Sequence, residues 1–309
     1  MNIKIVKPEE QFNGMYDVFI GVLGYESRCV NVAQKLAKKV SRGFYVPLAD
    51  EGLESYNIAK KIYINIKYEE LAFGVDDEFS IFERILLELP DSSKIAIDVS
   101  SMPKSMTASF LHKILAHNNK IETVSLYYCP AKFTQPNNSF SPVTFSGPVL
   151  SEYAGWTMYP DKPPIAIIGL GYEFDRAIGV LDYLDVDISN AVLLVPRSIE
   201  QKYDHAVSKA NRLLLDQVNA NQIVYYNLNS PEETLIRLNS IISSLSDDHR
   251  VILVPFGPKL INMISLIAAE MQPQDVTVWR VSGGKHELPV DRKPSKTIIR
   301  LDIKLMSEK

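Results

Sequence analysis

The chain has 309 residues, 46% of them hydrophobic, enough to build about two domains of ordinary size and too apolar for a disordered or fibrous chain. Its 33 basic and 37 acidic residues leave a net charge of −4, so no global positive field exists to hold a long polyanion such as duplex DNA. No apolar run approaches the roughly 18 residues of a membrane-spanning helix, and MNIKIVKPEEQF lacks the apolar core of a signal peptide. The two cysteines, Cys29 and Cys129, belong to no CxxC pair or zinc-spaced cluster. A cytoplasmic protein without disulfides or membrane contact is expected.

In chain order, VFIGVLG (18–24) reads as a first strand, leading through Tyr25-Glu26-Ser27-Arg28 into the amphipathic stretch CVNVAQKLAKKV. Further apolar runs follow at GFYVPLAD (43–50), IYINI (62–66), KIAIDVSSMPK (94–104) and TVSLYY (123–128). The second half repeats the pattern. IAIIGLG (165–171) leads through Tyr172-Glu173-Phe174-Asp175-Arg176 to AVLLVPRS (191–198), IVYYNL (223–228), RVILVPFGPK (250–259) and VTVWRV (276–281). From Arg28 to Phe44 and from Arg176 to Val192 the interval is the same, 16 residues. The segments VPLADEGLESYNIAKK (46–61) and VPRSIEQKYDHAVSKA (195–210) also match.

Short Val/Ile/Tyr-rich runs alternating with helical patterns predict βαβ units whose strands are buried on both faces of a parallel sheet. The fold class expected is α/β, two tandem Rossmann-like parallel-sheet domains arranged as a pseudo-dimer, with residues 17–130 and 163–283 as the duplicated parts. Residues 1–130 form the first domain. Residues 131–162, rich in proline and aromatics, read as a hairpin and linker, and residues 163–309 as the second domain, with TIIRLDIKLM as its closing strand.

In an open parallel sheet, ligands lie beyond the carboxyl ends of the strands where strand order reverses, between the first and fourth strands. The Gly24–Arg28 loop and Ser100-Ser101-Met102-Pro103-Lys104 fall there in the first half, and Gly171-Tyr172-Glu173 with Arg176 and Phe256-Gly257-Pro258-Lys259 in the second. A helix start with an added Arg or Lys suits a phosphate, so Arg28, Lys104, Arg176 and Lys259 are candidate anion contacts converging on one composite cleft. Tyr25 and Tyr172 are candidates to stack on bases or to pack on a neighbouring helix. Glu26 and Glu173 can accept from base or ribose groups, and Ser100 and Ser101 can donate to phosphate or cap a helix. Asp98 ends the fourth strand and either caps the loop or holds a metal; no metal or cofactor is called for, and no residue is assigned a catalytic role. GVLGYESR has no GxGxxG and GLGYEF is no Walker loop, which disfavours NAD or ATP. Cys29 reads as a core residue rather than a reactive thiol, and 280–296 as a β-turn rather than a basic lid.

The run Asp98-Val99-Ser100-Ser101-Met102-Pro103-Lys104, with the Gly24–Arg28 loop and the tandem organisation, resembles the CRISPR-associated Rossmann-fold (CARF) sensors and their fused-pair relatives, the SAVED domains. Two departures stand out: Ser101-Met102 replaces the glycine pair of that loop, and the second half has Lys259 without the aspartate. The resemblance implies a sensor of an anionic, cyclic or related signalling nucleotide in prokaryotic antiviral defence, acting with a separate effector or partner protein, since no effector nuclease motif is present. A nucleotide hydrolase using Glu26 or Glu173, and a protein-binding scaffold, are the alternatives.

Overall fold

The apolar runs and amphipathic stretches form two α/β units in a computed structural model that describes residues 2–48, 53–71, 80–135, 143–155, 160–173, 175–198, 200–272, 276–283 and 291–306. The first unit comprises Met1–Lys132 with Pro289–Lys309, and the second Phe133–Leu288.

In the first unit the elements run β1 (Asn2–Ile5), β2 (Tyr16–Leu23), α1 (Asn31–Leu36), β3 (Val40–Pro47), α2 (Glu54–Asn65), β4 (Glu69–Glu70), α3 (Ser80–Glu88), β5 (Ser93–Asp98), α4 (Lys104–Ala116) and β6 (Ile121–Tyr128). In the second they run β7 (Phe145–Pro148), β8 (Pro164–Gly169), α5 (Arg176–Leu184), β9 (Ala191–Arg197), α6 (Gln201–Ala210), α7 (Arg212–Leu215), β10 (Ile223–Asn227), α8 (Pro231–Leu245), β11 (Arg250–Pro255), α9 (Lys259–Met271) and β12 (Val276–Ser282). The final strand is β13 (Ile299–Met306).

The first sheet is ordered β1-β13-β6-β5-β2-β3-β4 and the second β10-β9-β8-β11-β12-β7. In each, the five strands of the repeat are parallel and follow the doubly wound order 3-2-1-4-5, so strand order reverses between β2 and β5 and between β8 and β11. The two halves are therefore Rossmann-like units of the same topology. Central strands are buried on both faces, Val18, Phe19, Ile20 and Leu23 being fully inaccessible in β2, as are Ala166 and Ile168 in β8. Full burial of each large aliphatic or aromatic side chain stabilises the fold by about 1.5–3 kcal/mol.

Three expectations change. The run IYINI (62–66) belongs mostly to helix α2, not to a strand, because Tyr56, Ala59 and Tyr63 recur at helical spacing and are buried while Ile58 and Ile64 face water. The third strand is the two-residue β4 beyond it. The span 163–309 is not one domain: β13 pairs antiparallel with β6 and with β1, closing the first sheet rather than the second. Leu301, Asp302 and Ile303 are completely buried there, Asp302 accepting from Arg300 Nε at 2.6 Å and from the Phe12 amide at 3.1 Å. The second unit is thus an insertion within the first. Finally, 131–162 contributes among its described residues one strand, β7, antiparallel on the β12 edge, rather than a hairpin. Among the described residues no helix is long and apolar enough to cross a membrane.

Candidate functional site

In the first unit the chain leaves β2 at Leu23, passes Gly24, Tyr25 and Glu26, and enters a 3₁₀ turn over Ser27–Val30. Glu26 and Arg28, two residues apart, form a bidentate pair: Arg28 Nε donates to Glu26 Oε2 at 2.9 Å and Nη2 to Oε1 at 3.2 Å. Arg28 Nη1 donates to the Cys129 carbonyl at 3.1 Å, and the guanidinium carbon lies 6.0 Å from the centre of the Tyr128 ring. Arg28 is 6% exposed; burial opposes its charge, but the Glu26 carboxylate and Tyr128 raise its pKa above the ordinary value. The expected phosphate contact is therefore a buried cation already committed to a carboxylate and a carbonyl. It braces the loop.

Ser101, in the loop after β5, donates from Oγ to Glu26 Oε2 at 2.9 Å, joining the two loops across the strand reversal. Ser100 is fully buried: its amide donates to Asp98 Oδ1 at 2.9 Å, its Oγ donates to the same oxygen, and Oγ accepts the Cys129 amide at 2.7 Å. Asp98 thus caps the loop, the first of its two sequence readings. Its Oδ2 is buried and has no hydrogen-bond partner among the described residues. Burial pushes the Asp98 carboxyl up to about 7; the Ser100 hydrogen bonds and the Arg28 charge oppose that rise, and Glu26 adds to it. Lys104 is half-buried and is the first residue of α4, whose N-cap is Pro103 with no side-chain cap. Tyr25 is half-buried, its carbonyl accepting Ser55 Oγ at 2.7 Å.

The segment that returns to the first unit also holds this loop. Asp291 Oδ1 accepts the amide and Oγ of Ser27, each at 2.7 Å, and the Arg292 carbonyl accepts the Arg28 amide at 3.3 Å. Residues 284–290 of the basic stretch read as a turn lie outside the described residues. Cys29 is 1% exposed and burial pushes its thiol up to about 12, which leaves it a core residue.

In the second unit the equivalent loops meet backbone to backbone. Gly257 adopts φ +80°, and a Cβ added at Gly171 would lie 2.5 Å from the Gly257 Cα. The Gly171 carbonyl accepts Nδ2 of the buried Asn211 at 2.6 Å. Glu173 Oε2 is buried and has no hydrogen-bond partner among the described residues, and the Glu173 carbonyl accepts the Arg176 amide at 3.5 Å. Arg176 begins α5, and Lys259 begins α9, whose N-cap is Pro258 with no side-chain cap. The Tyr172 ring lies 6.3 Å from that of Tyr203, at 28°.

The structure thus brings together Glu26, Arg28 and Ser101, and separately Ser100 with Asp98. It places Lys104 and Lys259 at equivalent helix starts, and Tyr172 and Glu173 in the loop before α5, which Arg176 begins. Sequence reasoning missed Tyr203, Asn211 and Asp291; only Tyr203 carried a signal, as the tyrosine common to both copies of the VP repeat segment. Among the described residues no group of three or more His, Cys, Asp or Glu could hold a metal.

A scan against models of known protein families finds no match, and comparison with curated proteins finds none either. Among solved structures, phosphoethanolamine N-methyltransferase 1 of Haemonchus contortus, in complex with phosphoethanolamine and S-adenosylhomocysteine, is 6% identical, with 96% of this chain and 89% of that chain covered at a TM-score of 0.25. A likeness that slight bears neither on fold nor on ligand; the Rossmann-like assignment rests on the strand order itself.

Proposed function

We propose that the chain is a ligand-sensing protein that binds an anionic nucleotide at the carboxyl edges of its sheets. The observation that carries this reading is a repeated placement: Lys104 and Lys259 are each the first residue of a 13-residue helix without a side-chain cap, directly at a strand reversal. Backbone N–H groups at such a helix start, with the partial positive charge of the dipole and an ammonium beside them, favour a phosphate. In the first unit the Glu26–Arg28 pair holds its loop, leaving the phosphate to Lys104 and the start of α4.

With the Asp98–Lys104 run, this duplication supports a sensor of the CARF and SAVED kind, with a cyclic oligonucleotide as ligand, a role in prokaryotic antiviral defence and a separate effector protein. The test is mass spectrometry of small molecules released by denaturing freshly purified protein, joined to calorimetric titration with linear and cyclic oligonucleotides. A released nucleotide, or saturable binding of one of the panel, supports the reading. No release and no binding across the panel overturns it in favour of a protein-binding scaffold, and turnover of a bound ligand moves it to a nucleotide hydrolase.

A further inference from the structure

A circuit of hydrogen bonds closes around the strand reversal of the first unit. Asp98 Oδ1 accepts from Ser100 Oγ, which in turn accepts the Cys129 amide at 2.7 Å. The Cys129 carbonyl accepts Arg28 Nη1 at 3.1 Å, and Arg28 Nε donates to Glu26 Oε2 at 2.9 Å. That oxygen accepts Ser101 Oγ at 2.9 Å, which returns the circuit to the residue beside Ser100. The loop after β2, the loop after β5 and the end of β6 are thereby tied together. Within the circuit Arg28 is balanced by Glu26. Asp98 is 2% exposed and its Oδ2 has no hydrogen-bond partner among the described residues, so its ionisation would add a buried charge without a counterion of its own.

The duplicated fold does without a carboxyl at this place. Asp98 follows Ile97, which pairs with Ile20 of β2, and Val254 follows Leu253, which pairs with Ile167 of β8. Ile20 and Ile167 are matched residues of VFIGVLG and IAIIGLG, so Val254 is the counterpart of Asp98. It is 1% exposed and belongs to the apolar core of the second unit. The amide two residues further on donates to Asp98 Oδ1 at 2.9 Å in the first unit; in the second it is that of Phe256, and it donates to the Gly169 carbonyl at 2.9 Å. The loop amide thus finds a backbone acceptor where the carboxyl is absent. A buried carboxyl that the repeat replaces by valine is a cost the fold does not demand, which points to a use for it.

We propose that this circuit is a proton-operated latch: with Asp98 protonated it holds the two loops together, and ionisation of Asp98 releases them, freeing Arg28, Glu26 and Ser101 at the strand reversal. Inside the closed circuit an ionised Asp98 keeps one oxygen unsolvated, whereas in the open loops water solvates it, so the open form gains as the proton leaves. The charged and titratable groups facing Asp98 among the described residues are Glu26, Arg28 and Cys29 after β2, Tyr63 of α2 and Cys129 after β6. Arg28 favours its charge and Glu26 opposes it, while burial keeps the two thiols and the phenol neutral. Burial, the largest influence, pushes the Asp98 carboxyl up to about 7, which sets the latch near neutrality. The latch goes beyond the nucleotide reading and stands without it.

Hydrogen exchange of the ligand-free full chain from pH 5 to 8, corrected for the intrinsic pH dependence of exchange, tests the latch in wild type, in Asp98→Asn and in Asp98→Val, which installs the residue of the copy. Mass spectrometry reads it on peptides carrying Ser100 and Cys129 and, as a gauge of global unfolding, on peptides of β2. The expected result is that the Ser100 and Cys129 amides of wild type open more readily than those of β2. Their opening rises by up to about tenfold per pH unit between pH 5 and 7 and levels off above 7, where Asp98 is ionised in both forms. In both variants the rise disappears, and either variant suffices if the other does not fold. Opening that is independent of pH in wild type, or a rise that persists in a folded variant, overturns the latch. Exchange of the two amides no faster than that of β2 at every pH also overturns it, because only global unfolding then reaches them.

Discussion

Ser101 Oγ donates a 2.9 Å hydrogen bond to Glu26 Oε2, so that residues 75 positions apart clasp the two loops at the strand reversal of the first unit. The same Glu26 oxygen accepts from Arg28 Nε at 2.9 Å, and the Arg28–Glu26 side chains are only 8% and 14% exposed. This clasp commits Arg28 to holding the loop, which separates its expected effect on folding from that of Lys104.

Arg28→Ala leaves the half-buried Glu26 carboxylate without its ion partner and the Cys129 carbonyl without its donor, and costs about 3 kcal/mol of unfolding free energy. Lys104→Ala, which truncates a half-buried cation at a helix start, costs about 1 kcal/mol at most. Urea denaturation of the two variants checks the contrast. Equal and small losses would return Arg28 to the surface role that its sequence position suggests.

Asp98 makes stability depend on pH. Its folded-state carboxyl, pushed up to about 7 by burial, lies above the ordinary value of 3.8, so the folded chain holds the proton more tightly than the unfolded chain. The contribution is complete below about pH 4 and is lost as pH rises through about 7, with a slope of at most about 1.4 kcal/mol per pH unit. Asp98→Asn keeps the Oδ1 acceptor for Ser100 and removes that slope. Denaturation of wild type and Asp98→Asn at intervals from pH 4.5 to 8 should show the difference between them growing in favour of the asparagine; parallel curves would contradict the assignment.

Both cysteines are expected to be inert. Burial pushes Cys29 up to about 12 and raises Cys129 as well, so a thiol reagent at pH 8 should modify neither in the native protein and both after denaturation. Rapid stoichiometric labelling of the native chain would show that one of them is reactive.

Two glycines of the second unit respond oppositely to alanine. At Gly257, φ is +80° and a Cβ would lie 2.5 Å from the Leu170 carbonyl oxygen, so Gly257→Ala costs about 1–3 kcal/mol. Gly179 is exposed within α5 and no described residue comes within 4 Å of an added Cβ, so Gly179→Ala stabilises by about 0.5–1 kcal/mol. Thermal melts of the two variants, moving in opposite directions from wild type, check both.

The parallel strands and the position of their reversal were legible in the sequence because buried strands write themselves as continuous apolar runs, as in VFIGVLG and IAIIGLG. The run IYINI was misread because α2 carries exposed isoleucines between its buried tyrosines, which fills the polar face of the helical pattern. The destination of β13 was not legible at all. Its Leu301 and Ile303 show that it is buried but not beside which strand, and the pairing with β6 spans most of the chain. At the site, glycine, proline and lysine marked the loops correctly. The commitment of Arg28 to Glu26 and Cys129 is a matter of side-chain direction, and spacing does not encode it.

The central claim, that the starts of α4 and α9 hold the phosphates of a nucleotide, is tested most directly by calorimetric titration of Lys104→Ala, Lys259→Ala and the double variant with the tightest-binding member of the oligonucleotide panel. Each charge-assisted phosphate contact contributes about 1.5–3 kcal/mol, so affinity should fall roughly ten- to a hundredfold for each lysine removed, with melting temperatures near that of wild type. Affinity unchanged in the double variant would contradict the account and return both lysines to ordinary helix starts.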